Sequence, residues 1–312
     1  MATIRRPRKG SLQFWPRKRA RKFLPRVNWS AVNGNSVKNL KGFICYKVGM
    51  ASAFVKDNTE HSMTKGKKIV ISATILECPP MRIFSVRFYK NGQVTGEVLA
   101  ENLDKDLVSR IKVPKKKHKF EDVKDYDHLG IICYSQVKKT GLKKTPDLSE
   151  IGLQGSIEEK LLFARENLGK EINVSDIFEK GKVVDVRGLT KGHGFSGAVK
   201  RFGITLRSHK AEKGRRRPGS LGPWHPARVT YLTPMAGQLG MFSRISYNNQ
   251  IIDLGKANGK FNGIKNYGNI NTDYILIHGS VQGPAKRQLL VTAPLRKTKK
   301  QKKKNFEFLE LR

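Results

Sequence analysis

Residues 68–100 read KIVISATILECPPMRIFSVRFYKNGQVTGEVLA. β-Branched and aromatic residues fill KIVISATILEC and RIFSVRFY, the composition of strands rather than helices. Between RIFSVRFYK and QVTGEVLA stands Asn91-Gly92. A two-residue turn that needs positive φ at both positions selects this pair, so the two runs form a hairpin. The same texture, short apolar runs divided by Gly, Pro and Asn, begins upstream in KGFICYKVGM (41–50). It resumes in GKVVDVRGLT (181–190), SRISYNNQIIDLG (243–255), DYILIHGSV (273–281) and KRQLLVTAPL (286–295). The chain is therefore mainly β, a barrel or sandwich built from these runs.

The pattern changes between the runs. Residues 100–111 suit a short helix, a basic run follows at 115–119, and DHLGIICYSQV (127–137) is another strand. Ser156-Ile157-Glu158-Glu159 has the spacing of a capping box. It opens an amphipathic helix with Ile157, Leu161, Leu162, Phe163 and Leu168 as its apolar residues and Gly169 as its stop. Residues 100–170 are thus expected to form an α/β insertion within a β domain spanning 41–295.

Charge bounds the function. The 312 residues hold 62 Lys and Arg against 25 Asp and Glu, a formal charge of +37. A compact body with that charge repels itself, so the working state is one in which a polyanion supplies the counter-charge, and nucleic acid is the partner this implies. The 38% hydrophobic content still builds a real core, so the chain is no disordered basic tail. Cys45, Cys78 and Cys133 lie far apart without metal-ligand spacing, which suggests reduced, buried thiols in a cytosolic protein and neither a zinc site nor a disulfide frame. No apolar stretch approaches the roughly 20 residues of a membrane span, and no signal-peptide core follows the basic start.

Three segments concentrate the cations. The first 26 residues contain ten basic residues and no acid, and Pro7, Pro16 and Pro25 forbid a continuous helix, so residues 1–40 are expected to be an extended arm. Residues 191–229 hold ten Lys or Arg, seven Gly and the single acid Glu212, with Pro223-Trp224-His225-Pro226 as a turn. Gly lets the main chain approach a polyanion, the cations neutralise phosphates, and Trp224 and His225 offer flat faces to an unstacked base. Residues 207–233 leave and rejoin the β domain as a loop whose tip is Trp224. From Arg296, seven of nine residues are basic, so 296–312 is expected to be a second tail along phosphate.

Some apparent chemistry is set aside. Residues 192–197, GHGFSG, match the dinucleotide pattern G-x-G-x-x-G, but no helix with an acid about 20 residues on follows, and the glycines suit a turn that brings amides against phosphate. Ser196 lies one residue short of nucleophile-elbow spacing. His193, His209 and His225 sit among cations, which favour a neutral imidazole that stacks on or hydrogen-bonds to RNA rather than a general base. No catalytic residue, cofactor, metal or small-molecule substrate is assigned.

RGLTKGHGFSG, the GPWHPARV tip, GQLGMFSRISYN, HGSVQGPAKR, the PRKRA segment of the basic start and ILECPPMRIF together closely resemble the universal family three of large-subunit ribosomal proteins, in its archaeal and eukaryotic form. The resemblance covers nearly the whole chain. It implies a translation-factor-like β-barrel with an α/β insertion, a long basic central loop and extended basic termini. It further implies a structural, cytoplasmic protein of the large ribosomal subunit that binds its RNA, supports early assembly and extends the loop toward the peptidyl transferase centre, beside neighbouring large-subunit proteins. Eukaryotic members carry a methylatable histidine in the loop stem, whose position falls on Glu212 here, with His209 three residues away. The length of the chain fits the archaeal type.

The expected RNA-binding residues follow from the basic segments and the matched motifs. From the arm come Arg5, Arg6, Arg8, Lys9, Trp15, Arg17, Lys18, Arg19, Arg21 and Lys22. The glycine-rich stretch and loop give Lys191, His193, Lys200, Arg201, Arg207, His209, Lys210, Lys213, Arg215, Arg216, Arg217, Trp224, His225 and Arg228. Arg244, Lys286 and Arg287 lie in later motifs, and Lys299 and Lys300 in the tail. Two rivals share parts of this pattern: an RNA-modifying enzyme using the glycine turn for a nucleotide cofactor, and a DNA-architectural protein.

Overall fold

The computed structural model describes residues 7–32, 40–108, 111–112, 114, 118–123, 125–259, 261–296, 298 and 303–312. The chain divides into two compact units, the stretch up to Phe23 with Leu189–Ser243, and Leu24–Gly188 with Arg244–Arg312. The strand-rich runs build the larger unit.

Its first sheet is organised by the 16-residue strand β1 (Gly42–Asp57). β1 pairs antiparallel with β2 (Lys68–Cys78), and β2 with β12 (Asp273–His278). The order continues through β11 (Ser243–Lys256) and β8 (Val183–Leu189) to β13 (Gln288–Thr292), which returns to β1 with Gly42 opposite Thr292 and Tyr46 opposite Gln288. The pairings therefore close into a ring of six strands. β1 is long enough to hold β13 along its first half and β14 (Phe306–Leu311) along its second.

β14 corrects the expectation of a basic tail through residue 312. In FEFLEL, Phe306, Phe308 and Leu311 pack against the core cluster of Val48, Val55, Ile75 and Leu276. Phe306 and Phe308 alternate with period two, and a bulge at Leu309 brings Leu311 to the same cluster, so only a very short alternation follows the run of cations.

The second sheet contains β3 (Met81–Lys90), β4 (Gln93–Leu99), β5 (His128–Ser135) and β6 (Leu148–Gly152) in the order β4-β3-β5-β6, with β7 (Glu171–Ile172) also on β3. The hairpin forms as read, with φ of 51° at Asn91 and 77° at Gly92. It belongs to this sheet and not to the ring, because β3 pairs with β5 along its length, from Met81–Ser135 to Tyr89–His128. The second sheet thus opens at Met81, directly after Pro79-Pro80 and upstream of residue 100, where the sequence places the start of an insertion. Both sheets share one core, with Phe43, Ile44 and Leu290 from the ring and Ile83, Phe88 and Ile131 from the second sheet.

The helices are minor. Among the described residues of the span 100–111, α1 (Lys105–Val108) is the helical stretch. α2 (Ile157–Asn167) opens on the expected box, with Glu159 N donating to Ser156 Oγ and Ser156 N to a Glu159 carboxylate oxygen, both at 3.2 Å. Its apolar face is narrower than read: Ala164 is buried, Leu161 and Phe163 are partly buried, and Ile157 and Leu162 are exposed. The three cysteines are free and buried.

The expected arm is not one extended piece. Residues 7–32 contain neither helix nor strand, in keeping with the prolines. Yet Leu24 and Val32 are buried, and Trp29 donates its indole N–H to the Glu150 carbonyl at 3.1 Å. Hydrophobic side chains dispersed among cations anchor this segment, a pattern without a helix or strand period to announce it.

Candidate nucleic-acid interface

The smaller unit is assembled from two distant pieces of chain that between them carry 19 Lys or Arg and one acid, Glu212. Its frame is a ribbon of β9 (Gly192–Ser196) and β10 (Gly237–Gly240), followed on the β9 side by the single helical turn α3 (Ala198–Phe202). Ser196 lies opposite Gly237 and Phe195 opposite Gln238. The glycine motif is therefore a strand, not the turn expected, because β10 supplies its backbone partners from 40 residues further on. An antiparallel ribbon also removes the strand-to-long-helix setting that dinucleotide binding requires.

Several predicted RNA ligands hold this unit together. Arg17 donates to the Arg201 carbonyl at 2.5 Å and the Ser11 carbonyl at 3.3 Å, and its guanidinium lies 4.2 Å from the centre of the Phe202 ring and 5.7 Å from that of Trp15. Trp15 packs at 5.8 Å from Phe202 and 6.4 Å from Tyr231. Arg201 donates to the carbonyls of Gln238 at 3.0 Å and Met235 at 2.9 Å, and Arg8 to that of Leu232 at 3.0 Å. Burial, then the charge of Arg8, lowers the Arg17 guanidinium below its ordinary value, and burial, then Arg17, does the same to Arg201. Trp15, Arg17 and Arg201 thus occupy an aromatic clamp between the arm and the base of the loop.

The loop has no helix or strand, and its stem is held by main-chain carbonyls. Arg207 N donates to the Arg215 carbonyl at 3.1 Å, Arg207 Nη2 to that of Pro218 at 2.9 Å, and Thr233 Oγ1 to that of Leu221 at 3.0 Å. Lys191, His193, Lys200, Arg207, His209, Lys210, Lys213, Arg215, Arg216, Arg217, His225 and Arg228 are exposed, and Trp224 is 89% exposed. In the arm, Lys9, Lys18, Arg19, Arg21 and Lys22 are exposed too. Arg244, Lys286 and Arg287 belong to the other unit, where Arg244 and Arg287 are partly buried and burial lowers the Arg287 guanidinium. Arg5, Arg6, Lys299 and Lys300 lie outside the described residues.

Two exposed aromatics escaped the sequence reading, Phe195 at 82% and Tyr231 at 67%. A single Phe in a short strand has no signal of exposure except the glycines around it.

The model of the family described as ribosomal protein L3 matches residues 1–127 and 101–311. The chain belongs to the ribosomal protein L3 family. The large ribosomal subunit protein uL3 of Methanocaldococcus jannaschii is 39% identical over 312 residues, covering 94% of this chain and 92% of that protein. That of Archaeoglobus fulgidus is 40% identical, covering 94% and 93%, and that of Picrophilus torridus 38%, covering 96% and 94%. L3 proteins are structural proteins of the ribosome and not enzymes. Within this L3-family chain the arginines and lysines of the candidate interface named above are, among the described residues, either exposed or bonded to carbonyls.

Proposed function

We propose that the chain is a structural component of the large ribosomal subunit that binds large-subunit RNA directly, supports early subunit assembly, and extends the loop tip at Trp224 toward the peptidyl transferase centre. The observation that carries this reading is the charge of the smaller unit, 19 cations against one acid, combined with a tryptophan 89% exposed at its loop tip. Such a surface neutralises phosphates and offers a base a stacking face, mostly by shape and backbone contact rather than base reading.

In this reading the ring of six strands is the translation-factor-type barrel, the second sheet its α/β insertion, and the cations at 296–304 a short additional contact with phosphate. Neighbouring large-subunit proteins complete the surroundings, in the cytoplasm. Sedimentation of endogenous protein on a sucrose gradient, followed by RNA crosslinking with mass-spectrometric mapping, tests it. Cosedimentation with the large subunit and crosslinks from residues 207–228 to its RNA are expected. Free protein crosslinked elsewhere overturns the proposal.

A further inference from the structure

The ribbon of β9 and β10 displays an aromatic side chain that the fold does not use. Phe195 is 82% exposed, although its strand is paired and its neighbour Ser196 is buried. Apolar rings left in water gain nothing for folding.

The platform beneath the ring is firmly built. Gly240, at φ 80°, approaches so closely that an added Cβ would stand 2.0 Å from the Lys191 carbonyl oxygen. Arg201 ties β10 down through the Gln238 and Met235 carbonyls. Around Phe195 the side chains are sparse, because Gly194 and Gly197 have open space where a Cβ would be. His193, also exposed, lies two residues before Phe195, across a bulge at Gly194, whose φ is 62°. Lys191 and Lys200 nearby in sequence are exposed, and the only acid in the unit is Glu212.

A flat, rigid, uncrowded ring in a cationic setting is the form of a base-stacking residue. We infer that Phe195 stacks on an unpaired base of large-subunit RNA, with the flanking glycines leaving room for the sugar-phosphate backbone, at a contact distinct from the loop tip. This rests on the reading of the chain as an RNA-binding ribosomal protein. Because the platform exists before binding, little ordering cost offsets the stacking.

The test compares full-length wild type, Phe195→Ala, Phe195→Leu and Phe195→Trp for binding to deproteinised large-subunit RNA at several salt concentrations. Stacking predicts that Phe195→Ala and Phe195→Leu weaken binding by roughly 5- to 150-fold. Phe195→Trp should stay within about twofold of wild type, since any large π face serves. The salt dependence should not change, because no phosphate contact is lost. Ultraviolet crosslinking of wild type within the subunit should place a nucleotide on the peptide containing Phe195. Thermal melting should be unchanged in all three variants, as the ring is exposed.

Failure of wild type to bind this RNA sinks the broader reading along with this one. Wild-type binding that Phe195→Ala leaves intact refutes the stacking contact alone. Full affinity in Phe195→Leu means apolar packing and also refutes it. So does a crosslink from this peptide to protein, or Phe195-dependent capture by anionic phospholipid vesicles with RNA affinity unaffected.

Discussion

Arg17 separates two accounts of the arm, and Arg17→Ala tests them. As an RNA ligand it would neutralise one phosphate. As a clamp it donates a charged hydrogen bond to the Arg201 carbonyl and stacks 4.2 Å above Phe202, which is only 5% exposed. A hydrogen bond from a charged donor contributes about 1.5–3 kcal/mol, and a partly exposed cation–π contact about 0.5–1 kcal/mol. Repulsion from Arg8 and the cost of partial burial, both visible in the lowered guanidinium, subtract from this. A net loss of about 1.5–3 kcal/mol in the local stability of the clamp remains. That corresponds to roughly 10- to 150-fold faster amide exchange in Ala198–Phe202 and its surroundings, since local opening sets protection there.

Hydrogen exchange followed by mass spectrometry on the full chain, without RNA, gives the measurement. Arg17→Lys should fall between wild type and alanine, because lysine keeps the charge but loses the planar stack. Unchanged exchange around α3, together with a salt slope for RNA binding shallower by about 0.9, would refute the clamp and restore Arg17 as a phosphate ligand.

Trp224→Ala should shift stability by no more than about 0.5 kcal/mol in chemical denaturation, because the side chain is exposed, while subunit maturation suffers; an unfolded variant would make Trp224 a core residue. Gly240→Ala should open the ribbon, since positive φ costs about 1–2 kcal/mol and the new Cβ meets a main-chain carbonyl, and exchange at Gly192–Ser196 is the readout. Asp57 accepts hydrogen bonds from Ser62 Oγ, Thr59 N and Thr64 Oγ1, and these hold its carboxyl well below the usual range. Its contribution is therefore complete above the unfolded value of about 3.9 and is lost as pH falls below it. The stability difference between wild type and Asp57→Asn should stay constant near neutrality and shrink below about pH 4.

The ring strands were legible because each carries β-branched residues between turn formers, and the Asn91-Gly92 hairpin because two positive φ values leave few alternatives. Membership of a sheet was not legible. KIVISATILEC and RIFSVRFY look alike, yet Pro79-Pro80 separates a ring strand from a strand of the second sheet, and only long-range pairing with β5 reveals it. At the interface, the cations and Trp224 could be found by counting. The inward role of Trp15 and Arg17 could not, because it depends on Phe202 and Tyr231, some 190 and 215 residues away in the chain, roughly counted.

The distribution of acids explains why the two units must be stabilised differently. Ion pairs between described residues all join side chains of the larger unit, among them Arg82 with Asp104 and Glu171, Arg87 with Glu97, Lys143 with Asp147 and Lys180 with Asp253. The smaller unit has only Glu212 to offer its 19 cations. Its arginines turn instead to carbonyl oxygens and ring faces, which satisfy their N–H groups without cancelling their charge. The unit therefore keeps its full positive field while holding its shape. An anionic partner that supplied the missing charge would stabilise it by binding, and added salt would weaken that binding while relieving repulsion in the free protein. The stability of the smaller unit should consequently rise with salt in the free chain and fall with salt in the RNA complex, an inversion that no arrangement of internal ion pairs would produce.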